Sequence, residues 1–126
     1  MTVILDAGAL IAVEHTNRDV IALIKAERIA GRTPRTHGGV VGQVWRGGFG
    51  RQAPLAHLLQ GVEIVPLDDQ LGRTSGAFLS RTLGNDVIDA AVVAICRDGD
   101  VVLTTDPKDL LALAIAAGSH LEIIAI

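Results

Sequence analysis

The chain has 126 residues, a formal net charge of -3, 49% hydrophobic and 20% charged residues, and a single cysteine. That length suits one compact domain over residues 1–126, and the apolar share excludes global disorder. The lone Cys96 excludes a disulfide framework and a cysteine-rich zinc site, and the scattered histidines pair with no cysteine.

The net charge offers no global pull on nucleic acid, though a local basic face or a metal-mediated contact with phosphate stays open. Aromatic residues are 2% of the chain, too few for a broad base-stacking platform. Met1 runs directly into an apolar segment without a charged leader, so no secretory signal is expected. The longest apolar runs, at 90–96 and 110–117, fall far short of the ~18 residues a membrane helix needs. A soluble cytoplasmic domain without membrane contact is the expectation.

In chain order, Val3-Ile4-Leu5 reads as a strand buried on both faces and ended by Asp6. Residues 9–14 read as a short helix. Asp19 is placed to cap a second helix that stops at Gly31. Residues 32–39 are irregular, with a brief strand, and Gly38-Gly39 are read as breakers. Residues 40–46 start a helix that Gly47-Gly48 end. Pro54 suits the first turn of the next helix.

Residues 62–65 form a strand closed by Pro66, and Asp68 opens a helix to about Leu83. Residues 86–97 read as a strongly apolar helix. Val101-Val102-Leu103 is a strand ending in Thr104-Thr105-Asp106, and Pro107 begins a helix that ends near Gly118. Residues 121–126 form the last strand. Short apolar strands alternating with helices indicate an α/β domain with a mainly parallel sheet.

Two strands end in aspartate, Asp6 and Asp106. In open α/β sheets ligands bind beyond the carboxyl ends of the strands, where the strand order reverses. Asp89 stands in an otherwise apolar helix, with Asp86 three residues before it on the same face; Asp109 relates to Asp106 in the same way. Oxygen ligands of this kind suit Mg²⁺ or Mn²⁺, which can stabilise attacking and leaving oxygens of a phosphodiester. Each acid also has a plainer use: Asp86 as a helix cap, Asp109 as a first-turn acid, Asp6 and Asp106 as turn formers.

These residues resemble a family. Val3-Ile4-Leu5-Asp6-Ala7-Gly8-Ala9-Leu10 resembles the opening of PIN-domain proteins. Val44-Trp45-Arg46-Gly47-Gly48 resembles the segment after their second motif, the run from Asp89 to Ala94 their third, and Leu103-Thr104-Thr105-Asp106 their fourth. The likeness spans the chain and is nearest to VapC-type toxins of bacterial toxin–antitoxin pairs. It implies a three-layer α/β domain with a five-stranded parallel sheet in the order 3-2-1-4-5. It also implies an Mg²⁺- or Mn²⁺-dependent endoribonuclease, often a homodimer, silenced by a cognate antitoxin.

By this resemblance Asp6, Asp89 and Asp106 hold the metal, Thr104 supplies the hydroxyl before the last acid, and Asp86 and Asp109 stand around them as outer carboxylates. The family's second acid falls on Gln43, which brings no charge, and the hydroxylated residues that often follow the first Asp are replaced by Ala7 and Gly8. A catalytically silent PIN scaffold that only binds partners is therefore the second reading.

Arg46 and Arg51, beside Trp45 and Phe49, are the one mixture of basic and aromatic residues that could meet RNA. The two aromatics could equally pack in the core or a dimer interface. The Gly38–Gly50 stretch fits no phosphate-loop spacing. A receiver-like signalling domain would resemble an acidic pair after the first strand and a late lysine. Here Asp6 is alone, and Lys108 sits in a helix start.

Overall fold

The computed structural model describes residues 1–126. Five strands, β1 (Val3–Leu5), β2 (Arg35–His37), β3 (Glu63–Val65), β4 (Val101–Thr104) and β5 (Glu122–Ala125), alternate with seven helices. The helices are α1 (Ala7–Glu14), α2 (Arg18–Ile29), α3 (Gly38–Val44), α4 (Ala53–Leu59), α5 (Asp69–Leu79), α6 (Val87–Ala94) and α7 (Pro107–Ala117). All strands pair in parallel, in the order β3-β2-β1-β4-β5, as the sequence led us to expect.

Right-handed crossovers carry the chain outward from β1 to β3 on one side and from β4 to β5 on the other. That handedness puts α1–α4 on one face of the sheet and α5–α7 on the opposite face. The packing agrees: α1 meets α2, α3 and α4, and α6 meets α5 and α7. Ile4, Leu5, Leu10, Val102, Leu103 and Leu110 lie at the centre of the core. No helix is long and apolar enough to cross a membrane.

β1 and β4 are buried along their whole length because helices cover both faces. β2 is buried too, yet it is polar, and each of its side chains is answered. Arg35 Nε donates to Glu63 (3.0 Å) and Nη1 to the Ile95 carbonyl (3.2 Å). Thr36 Oγ1 donates to the Leu5 carbonyl at 2.7 Å, bracing the end of β1. His37 is fully buried, and its Nδ1 accepts from Gly39 N at 3.0 Å. Its proton therefore sits on Nε2, which donates to the Ile88 carbonyl at 3.0 Å.

Several boundaries differ from the sequence reading. Asn17, not Asp19, caps α2, accepting from the N–H groups of Asp19 and Val20. Gly38-Gly39 open α3 instead of breaking the chain. A Cβ at Gly39 would lie 2.6 Å from Ile88 Cδ1, so the glycine permits close approach of α3 to α6. α5 ends at Leu79, where the Ser80 and Thr82 hydroxyls take up the carbonyls of Ala77 and Leu79. α6 ends at Ala94, and Asp100 then binds the Arg97 N–H at 2.8 Å, turning the chain toward β4. Trp45 and Phe49 are outside the monomer core, at 38% and 89% exposed.

His37 thus clamps the start of α3 to the first turn of α6. His37→Ala removes a cap, a buried hydrogen bond and side-chain volume. We expect a loss of about 2–3 kcal/mol in urea unfolding. A loss under about 1 kcal/mol would show that the clamp contributes little.

Candidate metal centre

β1 and β4 are neighbours, with Leu5 opposite Leu103, and the strand order reverses between them. Ligand sites of open α/β sheets form at this place. Asp6 follows β1 directly. Its N–H stays on the ladder, donating to Leu103 O at 3.4 Å, while its carboxylate accepts from Ala9 N at 3.1 Å and caps α1. Capping therefore fixes this side chain at the end of the strand.

On β4, the buried Thr104 Oγ1 accepts from Asp106 N at 2.9 Å and curls the chain over. Pro107 then begins α7. Asp106 holds the cap position but accepts no backbone N–H, so its carboxylate is uncommitted. Gly8 lets these two strand ends close on each other: a Cβ there would lie 2.5 Å from Thr105 Oγ1. Asp86 caps α6 by accepting from Asp89 N at 3.1 Å, which is the plainer of its expected uses.

Carboxylate oxygens of Asp89, Asp106 and Asp109 lie within 4.8 Å of one another. Asp6 stands outside this tight group but is near enough to act on it. Burial is the main reason the Asp89 pKa rises to about 6, and the charges of Asp86, Asp106, Asp6 and Asp109 add to it. The Asp106 carboxyl is raised chiefly by its hydrogen bond with Asp109. Burial raises the Asp6 pKa, against the lowering effects of the Thr104 hydroxyl and the N–H groups of Ala9 and Gly8. An all-oxygen group under mutual repulsion is the donor set that a hard divalent cation satisfies.

Asp109 thus belongs to the tight group itself and is not an outer carboxylate. Its first-turn position three residues after Asp106 was the available signal. Gln43 stands exposed on α3, and its amide makes no hydrogen bond. Arg46 and Arg51 lie apart from the acids on the α3–α4 connection. Arg46 Nη1 folds back onto the carbonyls of Gly42 and Trp45, and Arg51 is exposed. Sequence reasoning missed Gln52, a buried side chain that stitches this connection together. It donates to Val44 O and accepts from the N–H groups of Arg46 and Gly48.

The raised Asp89 pKa makes stability depend on pH. In the folded chain Asp89 keeps its proton to about pH 6, against 3.8 ordinarily. Folding therefore takes up a proton between these values, and the stabilisation present at low pH is lost as pH rises through 6. Without metal, the melting temperature of the wild type should fall between pH 5 and pH 7, by roughly 2–5 °C more than that of Asp89→Asn. Other titrating groups are common to both proteins and cancel. Equal pH slopes would show that Asp89 carries no raised pKa.

No protein-family model and no curated protein matches the sequence. Among solved structures, similarity is found to a chain of the crystal structure of VapBC2 from Rickettsia felis bound to a DNA fragment from their promoter. The TM-score is 0.72 at 14% identity, over 98% of this chain and 99% of that one. At that identity the likeness speaks for the fold. With its 3-2-1-4-5 parallel sheet between two helical layers, the chain has the PIN-like, VapC-like fold.

Proposed function

We propose that the chain is a divalent-metal-dependent endoribonuclease and the toxin of a VapBC-type pair, held inactive in the cytoplasm by a cognate antitoxin protein. The observation that carries this reading is the convergence of Asp89, Asp106 and Asp109 within 4.8 Å, next to the buried Asp6, at the sheet's switch point. Likeness to a chain of the VapBC2 structure supports an antitoxin partner. A homodimer is part of the same reading.

The residues fit Mg²⁺ or Mn²⁺. Asp6, Asp89 and Asp106 would hold the ion, with Asp109 as the fourth carboxylate, so the charge absent at Gln43 is present on α7. Such an ion polarises a phosphodiester oxygen and favours attack by water. The chain's own part is to fix the carboxylates. Asp6 is held by the Ala9 N–H, Asp106 through the Thr104 hydroxyl, and Asp89 by the Asp86 cap. Ion binding displaces protons that repulsion keeps on Asp89 and Asp106. Asp86 keeps one oxygen free for water at the rim. Arg46 and Arg51 would meet the RNA backbone farther out.

A second reading, a silent scaffold that binds partners without cleavage, rests on the neutral Gln43. Manganese calorimetry and RNA cleavage separate the two. Cleavage should stop in EDTA and return with Mn²⁺, and Asp6→Asn should reduce it about a hundredfold or more. Persistence of cleavage in EDTA would exclude a metal mechanism. A purified chain that binds no Mn²⁺ and cuts no RNA would favour the scaffold.

Mutation also tests where the fourth charge sits. Asp109→Asn should weaken Mn²⁺ about tenfold, and Gln43→Ala by less than about twofold. The reverse ranking would place Gln43, not Asp109, at the ion.

A further inference from the structure

A cleft of about 700 Å³ opens beside the acidic group, between the α5–α6 connection and α7. Asp86, Asp89 and Asp109 line it, so it is continuous with the proposed metal centre. Its other walls are unlike that centre. Leu83 is fully exposed and Ile115 is 72% exposed, so both turn apolar surface to water. Asn85 also lines the cleft, and its amide makes no hydrogen bond within the chain. Arg81 Nη1 donates to the Ala116 carbonyl at 3.2 Å, tying the connection to α7. Ala116 lies roughly 10 Å along α7 from Asp109.

We propose that this cleft is a substrate subsite that takes one unstacked nucleobase next to the cleaved phosphate. The inference rests on the nuclease reading above and goes beyond it in naming the substrate's state: single-stranded at that point. A base is flat and apolar on its faces and polar at its edge. Leu83 and Ile115 suit the faces, and the Asn85 amide offers both donor and acceptor to the edge. The remaining N–H groups of Arg81 suit a phosphate farther along the strand. A base held in a duplex shows neither free faces nor a free pairing edge, so a paired strand would not fit. The volume lies within the usual range of small-ligand sites.

Charge selects nucleic acid over a protein segment as the occupant. Three carboxylates line the cleft, so phosphate is repelled until a cation is held there, whereas a basic peptide is attracted only while the cation is absent. The two occupants therefore depend on metal with opposite sign.

The test uses the full chain, fluorescent tetraribonucleotides of each single base, and hexa-arginine as the basic peptide. Binding is measured with Ca²⁺ in place of Mn²⁺ to limit cleavage, and again in EDTA. The wild type should bind the oligonucleotides only with the cation and should distinguish the bases. Leu83→Ala/Ile115→Ala should weaken all four about tenfold while Mn²⁺ affinity by calorimetry stays unchanged. Asn85→Ala should narrow the differences between bases. Wild-type binding by these variants, with RNA cleavage intact, would overturn the subsite and leave the nuclease reading standing. Hexa-arginine binding in EDTA that the leucine–isoleucine variant abolishes, with no effect on oligonucleotides, would assign the cleft to a protein partner. Absence of both Mn²⁺ binding and RNA cleavage would remove the nuclease reading and the subsite with it.

Discussion

Asp6, Asp89, Asp106 and Asp109 repel one another at one end of the sheet, and the surrounding structure must hold them there. Burial makes that harder, since a carboxylate taken from water loses solvation that no neighbouring cation restores. The raised pKa values of Asp6, Asp89 and Asp106 are the visible consequence. The chain bears this cost through covalent and hydrogen-bonded restraint. Each acid sits at the start of a helix or the end of a strand, where backbone N–H groups are available. A site kept under this tension in the free protein is one that gains stability when a cation arrives.

The scaffold beneath the acids owes its rigidity to a strand that looks ill suited to a core. β2 is Arg-Thr-His, central in the sheet and buried. Thr36 reaches the last carbonyl of β1, one residue before Asp6, and His37 reaches the carbonyl of Ile88, one residue before Asp89. Two of the acids are thus positioned from below by neighbouring polar side chains of one strand. Such groups are costly when half satisfied and specifying when fully satisfied. No buried side-chain polar atom in the chain lacks a partner.

The α5–α6 connection bears on the same site from another side. Hydroxyls of Ser80 and Thr82 end α5 early, and the freed residues form a wall of the cleft next to Asp86 and Asp89. Had α5 run on to Leu83 as its periodicity suggested, that wall would have been one more helical turn. The Trp45–Gln52 segment is different: Gln52 stitches it internally, its aromatics face outward, and its two arginines are remote from the acids.

Sequence alone determined the parallel α/β class, the strand positions and the strand-end acids, because apolar runs and their terminating residues are local signals. Strand order followed from the resemblance, not from any local pattern. What only the tertiary structure decided was proximity. Asp109 entered the tight group because the first turn of α7 brings it over Asp106 and α7 packs against α6, which carries Asp89. Gly38-Gly39 read as a break in the sequence, yet they open α3, since Ile88 on a distant helix needs the space a Cβ would fill. The buried roles of Thr36, His37 and Gln52 left no trace in periodicity, because a polar side chain becomes a core residue only when a partner from elsewhere in the chain satisfies it.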